Sequence, residues 1–271
     1  MKAVPQSFDF GHNPLRPDFV VKTSYGNDSI ALIQWLHEYD LKHSLGRVVC
    51  LFNDTGWAAD WWMKRVDNAE ENLVKKYGFI PSRTSCIGMR KLIVQKNAWP
   101  NMLARFCTEE LKIVPTHNWL IVHDVEGLAE MVCGVRREES QDRAAWPEYV
   151  PASDKNEGRA EWSPMVEVKK VERDALVLRA GFQVLPHRSR ECRCVLANST
   201  DLKTWTEGDI KDIEEQEAIL GQRQRQTNNF MFRPNDKRGR PHGIRAVVAW
   251  AHGVKTKEPA RSGCDGGYCV S

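Results

Sequence analysis

The stretch Ser24-Tyr25-Gly26-Asn27-Asp28-Ser29 follows the apolar run Phe19-Val20-Val21 and leads into a segment of helical period. A strand that ends in such a turn and enters a helix sets several backbone N–H groups and two hydroxyls at the positive end of the helix, where phosphate oxygens are favoured. Gly26 permits a close approach that a side chain would block. Asp28 or Ser29 taken singly reads equally as a helix cap, which needs no ligand. Position favours a ligand, because open α/β sheets bind beyond the carboxyl ends of their strands. Asn53-Asp54-Thr55-Gly56 closes a second apolar run with an acid and a glycine, a pattern that also builds an ordinary turn. Arg136 and Arg137 suit bidentate phosphate contacts, or local pairing with Glu138 and Glu139.

The chain has eight cysteines and no apolar leader segment, so reduced cytosolic thiols are expected rather than a disulfide framework. Cys50, Cys86 and Cys133 lie in apolar segments and read as buried small hydrophobes. Cys107, Cys192, Cys194, Cys264 and Cys269 stand beside polar or glycine-rich sequence and call for another explanation.

The elements that must position these groups alternate short apolar runs with helical segments, the pattern of βα units around a mostly parallel sheet. Strands are expected over 19–23, 47–52, 79–86 and 130–135, and helices over 29–43, 57–77, 87–97 and 209–226. Beyond residue 140 prolines and the polar stretch 153–161 suggest a long connection. Residues 1–150 read as a nucleotide-binding α/β core. Residues 151–271 read as a helical, cysteine-rich region that completes the same domain.

With 271 residues the chain can bury a sizeable core. Its 41% hydrophobic and 28% charged residues argue against disorder, and no stretch approaches the roughly 20 apolar residues of a membrane span. A net charge of +3, from 39 basic and 36 acidic side chains, does not imply a nucleic-acid partner. One local stretch, FMFRPNDKRGRPHGIR over 230–245, interleaves Phe230 and Phe232 with basic residues, as a groove for phosphates and stacked bases would. A solvated loop or a cover over a bound nucleotide fits it equally. Glu214, Glu215 and Glu217 read as an exposed, pairing helix face.

The segment 24–29 resembles the SxGxDS signature of the PP-loop ATP pyrophosphatases and the phosphoadenosine phosphosulfate (PAPS) reductase family. Tyr25 stands where a glycine is frequent and Asn27 where a lysine is frequent. Other elements follow in the family's order. FNDTGW resembles its strand-end Asp-Thr-Gly, and CTEELKIVP its Cys-Thr-x-x-x-Lys-x-x-Pro. GVRREES resembles its Gly-Val-Arg-x-x-Glu-Ser, and EWSPMVEV its Trp-x-Pro segment. ECRCVLANSTDL and the tail SGCDGGYC resemble its cysteine-rich elements, with one residue rather than two between Cys192 and Cys194.

The resemblance implies an adenine nucleotide α-hydrolase-like fold with a C-terminal metal-binding region. It implies an ATP site lined by Ser24, Tyr25, Gly26, Asn27, Asp28, Ser29, Asp54 and Gly56, in which Ser24, Gly26, Asp28 and Ser29 hold pyrophosphate and Asp54 helps place Mg²⁺. Arg136 and Arg137 would meet the phosphates. Asp28, Ser29, Asp54 and Arg136 would take part in the reaction. Four thiolates suit a 4Fe–4S cluster, here Cys107, Cys194, Cys264 and Cys269 with Cys192 as substitute for Cys194, or tetrahedral Zn²⁺ on the same set. The implied reaction is cleavage of ATP to AMP, on an acceptor, and pyrophosphate, in sulfur transfer or nucleic-acid modification. Sulfonucleotide reduction with release of sulfite is the alternative, although the family's usual Glu-Cys-Gly-Leu-His tail is absent. A non-catalytic nucleotide- or nucleic-acid-binding subunit is the third reading. Nucleic acid or a sulfur-donor protein would be partners, in the cytoplasm.

Overall fold

The computed structural model describes residues 15–153, 156, 158–223, 229–232 and 243–253. Strand β1 (Phe19–Thr23) leads through Ser24–Gly26 into helix α1 (Asn27–His43), and β2 (Val48–Asp54) follows. Helix α2 (Trp62–Ala69) runs on as a π turn, Glu70–Val74, and a 3₁₀ turn, Lys75–Tyr77, before β3 (Ile80–Ser85) and α3 (Met89–Lys96). A short α4 (Phe106–Thr108) passes through a second π turn, Glu109–Ile113, into α5 (Val114–His123), where Pro115 sits in the first turn, the position at which its missing N–H costs least. Then come β4 (Glu130–Val132), β5 (Tyr149–Val150), β6 (Glu161–Trp162), α6 (Lys170–Arg179), α7 (Ser199–Leu202), α8 (Glu207–Arg223) and α9 (Ile244–Ala251).

The strands form one sheet in the order β3-β2-β1-β4-β6-β5, parallel except for the β5–β6 edge pair. This is the expected α/β architecture, a mainly parallel sheet flanked by helices. Alternation along β2 explains its unbroken apolar run. Val48, Cys50 and Phe52 face one layer, with α1, α2 and α6, and Val49 and Leu51 face α5 on the other side. A second apolar cluster, built from Trp57, α3, α8, α9 and residues 195–205, packs apart from the sheet's two layers. Among the described residues no helix is long and apolar enough to cross a membrane.

Several elements differ from expectation. The helix expected from 57 starts at Trp62, because residues 57–59 pair instead with a distant segment: Trp57 bridges Cys192, and Ala59 N–H donates to Arg190 O at 2.9 Å. The strand expected to reach 135 ends at Val132, where its partner β6 ends. The loose region beyond 140 contributes β5 and β6 to the sheet and α6, which packs on α1.

Candidate functional site

The chain runs from β1 outward to β2 and β3 and then returns to place β4 on the other side of β1. The order therefore reverses between β1 and β4, and a crevice opens at such a point beyond the carboxyl ends of the strands. The loop after β1 and the loop after β4 flank it.

In the first loop, Ser24 N–H donates to Ser29 Oγ at 3.0 Å, and the two serine hydroxyls lie 3.1 Å apart. Gly26 N–H donates to Ser24 Oγ at 3.3 Å. Trp62 Nε1 and Arg65 Nε take the carbonyls of Ser24 and Tyr25 at 3.1 and 2.8 Å, so the loop's acceptors are satisfied from α2. Gly26 is the N-cap of α1 and offers its first-turn amides no side-chain partner. A 17-residue helix thus begins in the interior with orphan donors and its positive dipole end at the strand tips. Such a terminus suits an anion.

The six loop residues divide into distinct roles. Ser24 and Ser29 are buried and close the turn. Tyr25 takes φ +55°, a region in which a non-glycine residue is strained by about 1–3 kcal/mol. Its ring is fully buried against Phe52 at 5.8 Å, and its hydroxyl lies 3.4 Å from Glu70 Oε1. Burial, reinforced by Cys50 and Glu70, pushes the phenol far above its ordinary range, so it stays protonated. What Tyr25 can offer a ligand is backbone. Asn27 exchanges two hydrogen bonds with the backbone of Leu185, at 2.8 and 2.9 Å. A Cβ on Gly26 would meet Ser189 Cβ at 3.0 Å. The close approach that requires glycine here is made by the chain's own residue 189.

Asp28 turns outward, and Arg136 Nε donates to its Oδ1 at 2.7 Å across the β1–β4 switch point. Arg136 is buried and also meets Glu138 and Glu139. Arg137 diverges: its guanidinium is held by Trp146 O at 2.9 Å and by Glu167. Asp54 ends β2, where Oδ1 accepts the Gly56 N–H at 2.9 Å, and Gly56 needs its freedom at φ +60°.

Residues 185–198 form a strap that ties this loop to the second cluster. Beyond the contacts at Asn27 and Gly26, Thr55 Oγ1 donates to Glu191 O at 2.8 Å, and Trp57 Nε1 to Arg193 O at 3.0 Å. Asn198 and Asp201 form a capping box at α7, which gives the Ala-Asn-x-x-Asp pattern a structural reason. Burial raises Asp201, but the Arg188 guanidinium and hydrogen bonds to it outweigh burial and hold the carboxyl below its usual range. Sequence reading singled out residues 191–202 but missed 185–190 and the strap's contacts, and it missed Arg173, which also reaches Asp28. His187, Arg188 and Arg190 just before the cysteine element were the available signal for the strap.

Cys107, Cys192 and Cys194 all border the second apolar cluster, and Leu196 N–H lies 3.4 Å from Cys194 Sγ. Lys112 pairs with Glu191 at 2.5 Å and so joins the Cys107 element to the Cys192 element. Cys264 and Cys269 lie outside the described residues. Among the described residues no group of three or more His, Cys, Asp or Glu side chains is poised on a metal position, and the described cysteines form no disulfide. Burial raises the thiols of Cys50 and Cys133, as suits inert packing groups, whereas Cys86, expected to be buried too, is half-buried, its thiol also raised by burial and directed at Asp54 O at 3.2 Å.

In the basic stretch, residues 233–242 lie outside the described residues. Phe232 is buried against Trp205 at 6.0 Å and serves packing, and Arg245 makes exposed ion pairs with Glu207 and Glu214 at 2.8 and 2.9 Å. Glu217 is not on an exposed face. It lies on the buried stripe of α8 and accepts the N–H groups of Met231 and Ile244 at 3.0 and 3.2 Å.

No protein-family model matches the chain. Over 176 residues, 60% of its length, it is 26% identical to the uncharacterized 37.8 kDa protein in the gpa 5′ region of Escherichia phage 186, and it covers 52% of that relative. The chain therefore spans about half the length of the curated relative it matches. Solved structures similar to it include PAPS reductase from Candida auris in a phosphate complex, with 12% identity and TM-score 0.43 over 62% of this chain and 75% of that one. Another is the U34-tRNA thiolase NcsA from Methanococcus maripaludis with its 4Fe–4S cluster, with 14% identity and TM-score 0.43 over 78% of this chain and 73% of that one. What the site can do follows from the chain's own groups.

Proposed function

We propose that the chain is a PP-loop enzyme that binds ATP with Mg²⁺ and transfers AMP to an acceptor, releasing pyrophosphate. The observation that carries this reading is the buried, uncapped N-terminus of α1, closed by Ser24 and Ser29 at the point where the sheet order reverses. An acceptor heteroatom attacks the α-phosphorus, the bond to the oxygen bridging the α- and β-phosphates breaks, and the acceptor's proton passes to solvent. The serine hydroxyls and first-turn amides would hold the departing pyrophosphate. Asp54 would help hold Mg²⁺, and Arg136 would offset charge that builds on the leaving oxygen.

The cysteine elements belong to the same proposal. Cys107 and Cys194 with Cys264 and Cys269, or Cys192 in place of Cys194, would hold a 4Fe–4S cluster, with Zn²⁺ as the alternative. Support comes from the shared apolar surround of the described thiols and from the amide beside Cys194 Sγ. When bound, a cluster would supply redox or sulfur-binding chemistry. Anaerobic isolation followed by metal analysis and a visible spectrum separates iron from zinc.

The test of the reaction is pyrophosphate release from ATP with Mg²⁺ and hydroxylamine as surrogate acceptor. Pyrophosphate and adenylylated hydroxylamine are expected in equal amounts. Release of sulfite from PAPS with a thiol reductant, and none of pyrophosphate from ATP, would replace this reading with sulfonucleotide reduction.

A further inference from the structure

Asp28 is held by two guanidiniums that arrive from different elements. Arg136, from the loop after β4, bonds Oδ1 at 2.7 Å, and Arg173, from α6, lies 3.4 and 3.5 Å from Oδ1 and Oδ2. The arginine side chains are 6% and 9% exposed, whereas that of Asp28 is 28% exposed. Buried guanidiniums are costly unless an anion meets them. The remaining neighbours steady them: Glu138 and Glu139 face Arg136, and Asp174 lies 2.6 Å from Arg173. Asp28 itself stands at the α1 N-terminus, next to Ser29, where the incoming phosphates would be drawn. A carboxylate there repels phosphate unless its charge is offset or it moves aside. Carboxylate and phosphoryl oxygens satisfy guanidinium donors in the same manner.

We propose that Arg136 and Arg173 form a two-guanidinium seat for one phosphoryl group of the nucleotide, with Asp28 as its resident anion in the ligand-free protein. The inference rests on the reading of residues 24–29 as the phosphate site and adds Arg173 to it. On binding, the phosphoryl oxygens replace the carboxylate on the arginines, which frees Asp28 to face Mg²⁺. No bond is made or broken in this exchange. It explains why the acid of the loop can sit beside an anion site at all.

The test is equilibrium dialysis of inorganic pyrophosphate and of ATP, each in chelator without metal, against wild type, Asp28→Asn, Arg173→Lys, Arg173→Gln and the Asp28→Asn/Arg173→Gln pair. Removal of the resident carboxylate should tighten pyrophosphate binding by about tenfold, and Arg173→Gln should weaken it by about tenfold, the scale of one charge-assisted hydrogen bond. Arg173→Lys should recover part of that loss. The paired variant removes both charges together and leaves neither buried alone. It should bind more weakly than Asp28→Asn by about the same tenfold. Wild-type pyrophosphate affinity in Arg173→Gln, or weaker metal-free binding in Asp28→Asn, overturns the seat. Pyrophosphate binding that responds as stated, while ATP fails to bind even when Mg²⁺ replaces the chelator, leaves the seat standing and removes the ATP reading.

Discussion

The loop after β1 and the strap at residues 185–198 are both tightly organised, but by different means. In the loop the ring of hydroxyl and amide contacts joins residues no more than five positions apart, as in Ser24 to Ser29. In the strap the partners are distant: Arg193 reaches Asp60 and Trp57 as well as Asp209 and Asp212, and Thr55 reaches Glu191. The loop therefore closes its hydroxyl ring from its own sequence, while α2 and Leu185 hold it from outside. The strap exists only when two separate parts of the chain meet. It joins the loop after β1 to the cluster that Cys86, Cys107, Cys192 and Cys194 border.

If the strap depends on long-range charge pairing, breaking that pairing should be the most damaging change. Arg193 has 3% side-chain exposure and three carboxylates about it. Arg193→Ala strands Asp209, itself fully buried, and should cost about 3–5 kcal/mol in urea unfolding. A loss below 1 kcal/mol, on the scale of an exposed pair, would show that the strap is held by its backbone contacts alone.

Next in size is a pH effect at the far side of the same cluster. Burial pushes Glu217 up to about 7 from 4.5, against two amide hydrogen bonds that favour its charged form. Below pH 4.5 the group is protonated folded and unfolded alike, and it costs nothing. As pH rises toward 7 the unfolded chain ionises it while the folded chain keeps the proton, so stability falls across that window. The difference approaches about 3 kcal/mol above pH 7 and should vanish from the pH profile of Glu217→Gln. Parallel profiles for the two proteins would contradict it.

The smallest effect probes the junction of the two regions. Gly26→Ala places a Cβ 3.0 Å from Ser189 Cβ and should destabilise by about 1–3 kcal/mol, with Ser189→Gly restoring most of the loss. Additive effects of the two substitutions would mean that loop and strap do not touch in solution.

What could be read beforehand divides along the same line. The central strands and the loop at 24–29 were legible because alternation, apolar runs and a turn at a strand end are local signals. Trp57 looked helical, yet its backbone pairs with residues near 192, a partner no window of sequence contains. Arg173 lies in an ordinary charged helix, and only the packing of α6 on α1 brings it to Asp28. Gly26 was rightly read as a place of close approach, but the neighbour that comes close is Ser189, 163 positions away. Glu217 looked like part of a solvated face because its helix carries Glu214 and Glu215 alongside. The buried stripe through Ile213, Glu217 and Leu220 sets its environment instead.

The central claim is that the α1 N-terminus, closed by Ser24 and Ser29, receives the phosphate chain of an adenine nucleotide. Equilibrium binding of radiolabelled ATP with Mg²⁺ to wild type and to Ser24→Ala/Ser29→Ala, at matched melting temperature, tests it most directly. Saturable binding by wild type, weakened at least about tenfold in the double variant, is the predicted result. Equal affinity in both proteins, or no binding by wild type, would contradict it.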